Sequence, residues 1–116
     1  MGEMVSIITP MYNAQKYIAD TMDSVLAQTY QNWEMIIMDD CSTDGGPDIV
    51  KEYSAKDSRI RYFRNERNQG VSKTRNAAMQ KASGRYLAFL DSDDLWYPTK
   101  LEEQIKYMKK NKYSFS

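Results

Sequence analysis

Four short apolar runs alternate with longer polar segments along the chain, and each run has the length and composition of a β-strand. The runs are Met4–Thr9, Trp33–Met38, Ile60–Arg64 and Tyr86–Leu90. We expect Pro10 to end the first of them. The last run is apolar throughout and follows Gly84, which predicts a strand buried on both faces. The third run alternates apolar and charged residues, which predicts a half-exposed or edge strand.

Between and after these runs, apolar residues recur at helical spacing. In Ala14–Gln28 they fall at i, i+4, i+7 and i+8 from Ile18, which places them on one helix face. Three further helices are predicted: one with Pro47 in its first turn, one over Val71–Ser83 that Gly84 terminates, and one that follows Thr99.

The resulting order is β-α-β-α-β-α-β-α, with short links. Regular alternation of this kind predicts an α/β fold with a mainly parallel sheet and helices on both faces. Tyr113–Ser116 has the composition of the start of a further strand, so we expect the fold to be truncated there. The 116 residues contain no internal repeat or low-complexity tract, and we expect 1–116 to form a single domain.

The composition excludes several kinds of chemistry. The chain has no histidine, which excludes histidine metal ligands, a histidine base and any Ser-His or Cys-His pair within it. Lys plus Arg and Asp plus Glu number 16 each, so no overall field favours nucleic acid or an anionic membrane. A single cysteine, no signal peptide and no apolar run of about 20 residues lead us to expect a cytoplasmic chain, with any membrane association supplied by a longer form of the protein.

Aspartates directly follow two of the predicted strands. Asp39 and Asp40 end the second, and Asp91, Asp93 and Asp94 end the fourth. Ligands bind such sheets beyond the carboxyl ends of strands, near a change in strand order, so we expect both clusters to face one crevice if the two strands are neighbours. Carboxylates grouped in this way predict Mg²⁺ or Mn²⁺, with phosphates and water completing the coordination. A solvated acidic turn is the plainer interpretation of each cluster.

Further residues near these strand ends are suited to a nucleotide. Tyr12, in the loop after Pro10, offers a flat face for a base, although a capped loop is the simpler interpretation. Asp40 is suited to accept a hydrogen bond from the imide N–H of uracil. Lys73 and Arg75 stand in the first turns of the third helix, where the dipole disfavours cations, which indicates an anionic partner. With the metal, these groups predict a nucleoside diphosphate site and transfer of the group that the diphosphate carries.

Five motifs resemble those of the family 2 glycosyltransferases of the GT-A fold, in that family's order and spacing. They are Val5–Asn13, Ser24–Tyr30, Asp39–Gly45, Asn68–Asn76 and Gly84–Asp94. The resemblance implies a Rossmann-like GT-A sheet. It also implies inverting transfer of a sugar from a nucleotide sugar, often a UDP-sugar, to a saccharide or lipid-linked acceptor in polysaccharide or glycolipid assembly.

The resemblance also implies roles for single residues. Nucleotide contacts are expected from Pro10 and Tyr12 beside the base, Asp40 on the base, Arg75 near the nucleotide and Asp91 at the ribose. Asp93 would ligate the metal on the diphosphate, while Asp94 has no firm role. Lys73 departs from the small residue usual at its position, so its phosphate contact is our own hypothesis.

The catalytic base of this family is a carboxylate in the acceptor-binding half, well downstream of the acidic motif. That position would lie beyond Ser116. We therefore expect the chain to be the donor-binding portion of a longer enzyme, able to bind a nucleotide without transferring a sugar. Missing strands would leave apolar surface uncovered, so self-association is a further expectation.

Three other functions share parts of this pattern. A receiver-type signalling domain also holds Mg²⁺ among acids at strand ends, with Asp91 as acceptor, but no late strand carries the lysine that it needs. A nucleotidyltransferase needs a glycine-rich, basic loop where Pro10–Asn13 stands. A non-catalytic nucleotide-binding or interaction domain would keep the fold, and retained metal-dependent UDP binding would argue against a pure interaction role.

Overall fold

The computed structural model of the chain describes residues 3–111, with the side chains of residues 3–107. Strands and helices alternate along it in the predicted order. The strands are β1 Val5–Met11, β2 Trp33–Asp39, β3 Ile60–Arg64 and β4 Tyr86–Phe89. The helices are α1 Ile18–Leu26, α2 Gly46–Lys56, α3 Val71–Gln80 and α4 Lys100–Asn111. The strand predicted to begin at Tyr113 lies outside the described residues.

The strands form one parallel sheet in the order β3-β2-β1-β4. Val5 of β1 pairs with Trp33 of β2 on one side and with Tyr86 of β4 on the other. The strand order therefore reverses at β1, because the next strand along the chain lies to one side of it and the last to the other. The predicted parallel α/β sheet is confirmed, and the reversal marks the edge where a ligand crevice is expected.

Successive side chains of the central strands point to opposite faces of the sheet, and helices cover both faces. The larger core packs Ile7 and Met35 against α1, α2 and α4. The smaller core packs Ile8 and Ile36 against Ala78 of α3. The predicted helix layers on both faces are confirmed. Within residues 3–111, no helix combines the length and the apolar character needed to cross a membrane.

The outer strands of the described sheet differ from the central ones in burial. β3 is an edge strand, as predicted, with Ile60 buried and residues 61–64 half-buried or exposed. The prediction that β4 is buried on both faces is wrong, since Tyr86, Leu87 and Phe89 are only half-buried. Among the described residues β4 pairs with β1 alone, so its other edge has no neighbouring strand there.

β1 continues through Pro10, which was predicted to end it. The carbonyl of Ile8 accepts from Leu90 N on the β4 side, whereas the carbonyl of Met11 accepts from Asp40 N on the β2 side. Backbone groups alternate in direction along a strand, so the missing N–H of Pro10 faces the β4 side, beyond the last paired residue of β4. The proline therefore costs the sheet no hydrogen bond.

Gly84 lies where the connection from α3 crosses the start of β1. Its N–H donates to Ser6 Oγ at 2.8 Å. A Cβ at Gly84 would lie 2.6 Å from Ser6 Oγ and 2.8 Å from the carbonyl oxygen of Met4. The prediction that Gly84 terminates the helix is wrong, because α3 ends at Gln80. Glycine is needed instead for the close approach of two backbones.

Glu34 of β2 links three parts of the fold through one buried carboxylate. It accepts from Ser6 Oγ at 2.6 Å and from the N–H of Ser83 at 2.7 Å, and Arg61 Nη1 donates to its other oxygen at 3.0 Å. Burial alone would raise the pKa of Glu34, but the hydrogen bonds from Ser6, Ser83 and Arg61 outweigh it and lower the pKa below 4.5. The ionised carboxylate therefore stabilises the fold.

We expect Gly84→Ala to lower the free energy of unfolding by about 1–3 kcal/mol, the usual cost of forcing extra atoms into a packed site. Gly45→Ala is the matched control, because the atoms nearest to a Cβ there all belong to the flexible side chain of Gln15. Urea unfolding of both variants measures the difference. Equal stability of the two variants would contradict the close approach at Gly84.

The lowered pKa of Glu34 predicts the pH dependence of stability. Its stabilisation is complete above the pKa of the unfolded chain, near 4.5, and is lost as the pH falls through the lower folded value. Glu34→Gln should be less stable than wild type at neutral pH, and the two unfolding free energies should converge as the pH falls below 4.5 and through the folded pKa of Glu34. Denaturant unfolding across a pH series measures both. A difference that stays constant as the pH falls would contradict this role of Glu34.

Candidate functional site

A cleft of about 740 Å³ opens beyond the carboxyl ends of β1, β2 and β4, where the strand order reverses. Its walls come from the loop after β1, the residue after β2, the first turns of α3 and the loop after β4. All but one of the predicted site residues line it: Pro10, Tyr12, Asp40, Arg75, Asp91 and Asp93. The parallel sheet thus brings together four segments that are far apart in the sequence.

Two tyrosines present exposed rings to the cleft. Tyr12 is 53% exposed and Tyr17 47%. Asn13, with φ 50°, shapes the loop between them: its N–H donates to Ser42 Oγ at 2.9 Å, and its Oδ1 accepts from Thr43 N at 2.7 Å. Asparagine adopts this left-handed conformation more readily than most residues. The sequence did not indicate Tyr17 because the predicted helix over Ala14–Gln28 included this residue. In the structure α1 begins only after it, at Ile18.

Asp40 is 4% exposed, and its carboxylate accepts hydrogen bonds on both oxygens. Asn65 Nδ2 and Gln69 N donate to Oδ1 at 2.9 and 2.7 Å, and Gly70 N donates to Oδ2 at 2.9 Å. Burial alone would raise the pKa of Asp40, but these hydrogen bonds lower it below 3.8. Asp40 therefore stays ionised at the cleft wall and also organises the loop that leads into α3. The sequence had not indicated the contribution of Asn65.

Asp39 does not line the cleft, so the expectation that both acidic clusters face one crevice is wrong for this residue. Adjacent strand residues point to opposite faces, which separates Asp39 from Asp40. The fully buried carboxylate of Asp39 accepts from Tyr62 Oη at 2.6 Å, Arg64 Nη1 at 3.2 Å and Ser42 N at 2.9 Å. Asp39 therefore holds the loop after β2. Ser42 of this loop also accepts a hydrogen bond from Asn13, in the loop after β1.

The loop after β4 carries a compact group of exposed carboxylates. One carboxylate oxygen each from Asp91, Asp93 and Asp94 lies within 4.8 Å of the others. Oxygen donors in such a group are the ligands that Mg²⁺ and Mn²⁺ prefer, so the donor set fits the predicted cation. Asp94, which had no predicted role, belongs to this group because of the turn in which its N–H donates to the carbonyl of Asp91 at 3.1 Å.

The two cations of α3 take different positions. Val71, Thr74 and Arg75 line the cleft, as expected for residues at i, i+3 and i+4 on one helix face. Arg75 Nη2 lies 3.3 Å from Asp91 Oδ1, which joins two walls of the cleft. Lys73 is exposed and does not line the cleft, because it lies off that helix face. Among the described residues, Arg75 is thus the cation that the cleft offers.

Comparisons with known proteins agree with this geometry. Residues 6–116 match the family model described as glycosyl transferase family 2. A curated relative from Escherichia coli, the UDP-Glc:alpha-D-GlcNAc-diphosphoundecaprenol beta-1,3-glucosyltransferase WfgD, is 51% identical over 112 residues. That match covers 97% of this chain and 44% of the relative. The chain thus spans less than half of the length of WfgD.

Two solved structures show the same fold. One is S. aureus TarS 1-349 in complex with UDP, with a TM-score of 0.85 and 33% identity, covering 95% of this chain and 32% of that one. The other is the mannosyltransferase PcManGT from Pyrobaculum calidifontis in complex with GDP-Man and Mn²⁺, with a TM-score of 0.84 and 25% identity, covering 93% and 33%. The fold is the GT-A fold implied by the motifs. The chain belongs to the glycosyl transferase family 2.

Proposed function

We propose that this chain forms the donor-binding part of a metal-dependent, inverting glycosyltransferase. Its donor would be a nucleotide-diphosphate sugar, a UDP-sugar in our proposal, and its acceptor a saccharide or lipid-linked saccharide in polysaccharide or glycolipid assembly. The convergence of Tyr12, Asp40, Arg75 and Asp93 on one cleft carries the proposal. The name of the relative WfgD, which specifies UDP-Glc and a diphosphoundecaprenol-linked sugar, and the UDP complex of TarS support it.

In this proposal the acidic group holds Mg²⁺ or Mn²⁺, with Asp93 as the principal ligand. The Mn²⁺ in the PcManGT complex supports this choice of cation. Bound there, the cation would neutralise charge that grows on the departing diphosphate. Arg75, which now pairs with Asp91, adds positive charge from the facing wall.

The nucleotide base would lie on the exposed ring of Tyr12, with Pro10 beside it and its imide N–H directed at Asp40. Asp91 would approach the ribose. The lowered pKa of Asp40 supports an acceptor role, since the carboxylate is ionised at neutral pH. Lys73 has no place in this arrangement, because it lies outside the cleft lining.

Sugar transfer with inversion needs a base within hydrogen-bond reach of the acceptor hydroxyl. The chain has no histidine. In this proposal Asp91 and Asp93 serve the ribose and the cation, and Asp40 is already held by backbone N–H groups and Asn65. We infer that the base comes from a part of a longer enzyme that this chain does not cover, because the chain spans only 44% of the relative WfgD. The 116-residue chain would then bind a donor without transferring its sugar.

The metal-dependent donor site is tested by isothermal titration of the folded chain with UDP, with and without Mn²⁺. We expect binding that depends on Mn²⁺, and at least about tenfold weaker binding for Asp93→Asn, because one ligand of the cation loses its charge. Asp48→Asn is the matched control, an exposed aspartate of α2 outside the cleft. No UDP binding by folded wild type with Mn²⁺ present would sink the proposal.

The role of Asp40 is tested by the choice of base. Uracil offers an N–H to this carboxylate, whereas cytosine presents a lone pair at the same ring position. We expect UDP to bind about tenfold more tightly than CDP, equivalent to about 1.4 kcal/mol, and Asp40→Asn to narrow that ratio. Competition titrations with UDP, CDP and GDP measure it. Equal affinities of wild type for UDP and CDP would show that Asp40 serves its loop contacts alone and does not contact the base.

A further inference from the structure

The loop that carries the acidic group has little support from the sheet. Its last hydrogen bond to β1 runs from Leu90 N to the carbonyl of Ile8 at 3.0 Å, and no helix or strand follows before α4. The like charges of Asp91, Asp93 and Asp94 lie close together and repel one another. The backbone that bears them must therefore be held from elsewhere, and the contacts come from α1 and the residues after it.

Thr21 of α1 binds this loop on both sides of Asp93. Its hydroxyl lies 3.0 Å from the carbonyl oxygen of Ser92 and 2.8 Å from that of Asp94, and donates to this pair of acceptors. The side chain is fully buried. A single buried donor that bridges these two carbonyls holds the peptide group before Asp93 and the one after Asp94, which limits the directions open to both carboxylates.

Ser24 and Gln28 extend these contacts along the loop. Trp96 N donates to Ser24 Oγ at 3.3 Å. Gln28 is 1% exposed, and its Nε2 donates to the carbonyl of Tyr97 at 2.9 Å. Its Oε1 accepts from Leu101 N at 3.0 Å, which joins the loop to the first turn of α4. The amide of Gln28 thus uses both its donor and its acceptor on the segment that follows Asp93.

We call Thr21, Ser24 and Gln28 the α1 clamp. Two of its members belong to the motif Ser24–Tyr30, which resembles the family pattern and has no part in the proposed donor contacts. None of the three lines the cleft. Thr29, the next residue of the motif, adds a backbone hydrogen bond to the carbonyl of Pro98 at 2.9 Å.

We propose that the α1 clamp is a positioning device for the divalent cation. By holding the backbone on both sides of Asp93, it keeps the carboxylate of Asp93 close to those of Asp91 and Asp94, while the clamp side chains themselves lie outside the cleft. Groups that orient metal ligands in this way typically contribute about 10–100-fold to metal affinity. The proposal rests on the proposed metal site of the cleft and adds positioning residues outside it. A purely structural role would change stability and leave the cation affinity unaltered.

Substitutions at two buried threonines separate these roles. Thr21→Val removes the hydroxyl and keeps the shape, and Thr21→Ser keeps the hydroxyl. Thr9→Val is the matched control: Thr9 is also fully buried, lies outside the cleft lining, and its hydroxyl has no hydrogen-bond partner among the described residues. Ser24→Ala tests the clamp at a half-buried position, should Thr21→Val fail to fold.

Two titrations of the 116-residue chain measure the effect. Electron paramagnetic resonance follows the binding of Mn²⁺ alone, and calorimetry follows UDP with and without Mn²⁺. We expect Thr21→Val to weaken Mn²⁺ binding by at least about tenfold and the Mn²⁺-dependent part of UDP affinity by a similar factor. UDP affinity without metal should not change. Thr21→Ser should bind Mn²⁺ nearly as tightly as wild type, and Thr9→Val should bind it as tightly as wild type.

The outcomes distinguish the clamp from the donor site. Wild-type Mn²⁺ affinity in folded Thr21→Val and Ser24→Ala, with only a lower melting temperature, would overturn the clamp and leave the donor site standing. A wild type that binds Mn²⁺ but no UDP would overturn the donor site, and the clamp would then be judged by the Mn²⁺ titration. A wild type that binds no Mn²⁺ would overturn the clamp.

Discussion

Parallel pairing of β1 with both β2 and β4 is the interaction on which the candidate site depends. Because the three strands run in one direction, the polar residues that follow them emerge at a single edge. Two backbone hydrogen bonds guide the emerging chains, from Asp40 N to Met11 and from Leu90 N to Ile8. The acids therefore emerge beside Tyr12 at one edge of the sheet.

The aspartates at this edge differ in their burial and in their hydrogen-bond partners. Buried carboxylates need compensating donors. Asp39 has them from Tyr62, Arg64 and a backbone N–H, and Asp40 from Asn65 and the loop before α3. The group around Asp93 is exposed and has little compensation beyond Arg75. The negative charge that remains uncompensated is therefore concentrated where the proposed cation would bind, on a backbone held by the α1 clamp.

The order and type of every described element could be predicted, because strand and helix periods and turn residues are local signals. The residues expected at the cleft came partly from the rule that ligands meet parallel strands at their carboxyl ends and partly from the family motifs. The wrong predictions concern the direction of side chains and the close contacts between elements. Asp39 and Asp40 point in opposite directions, and Lys73 lies off the cleft face of α3. Both depend on which face of each strand or helix packs against the rest of the fold. The true role of Gly84 depends on the approach of β1.

The contacts of the α1 clamp could not be predicted either, since they join residues far apart in the sequence through backbone carbonyls that carry no sequence signal.

The most direct test of the central claim is a crystal structure of the chain grown with UDP and Mn²⁺, with anomalous data at the manganese edge. We predict one anomalous peak, bonded to Asp93 and to the diphosphate, with uracil against Tyr12. An ordered UDP outside this cleft, or UDP within it and the manganese elsewhere, would contradict the account.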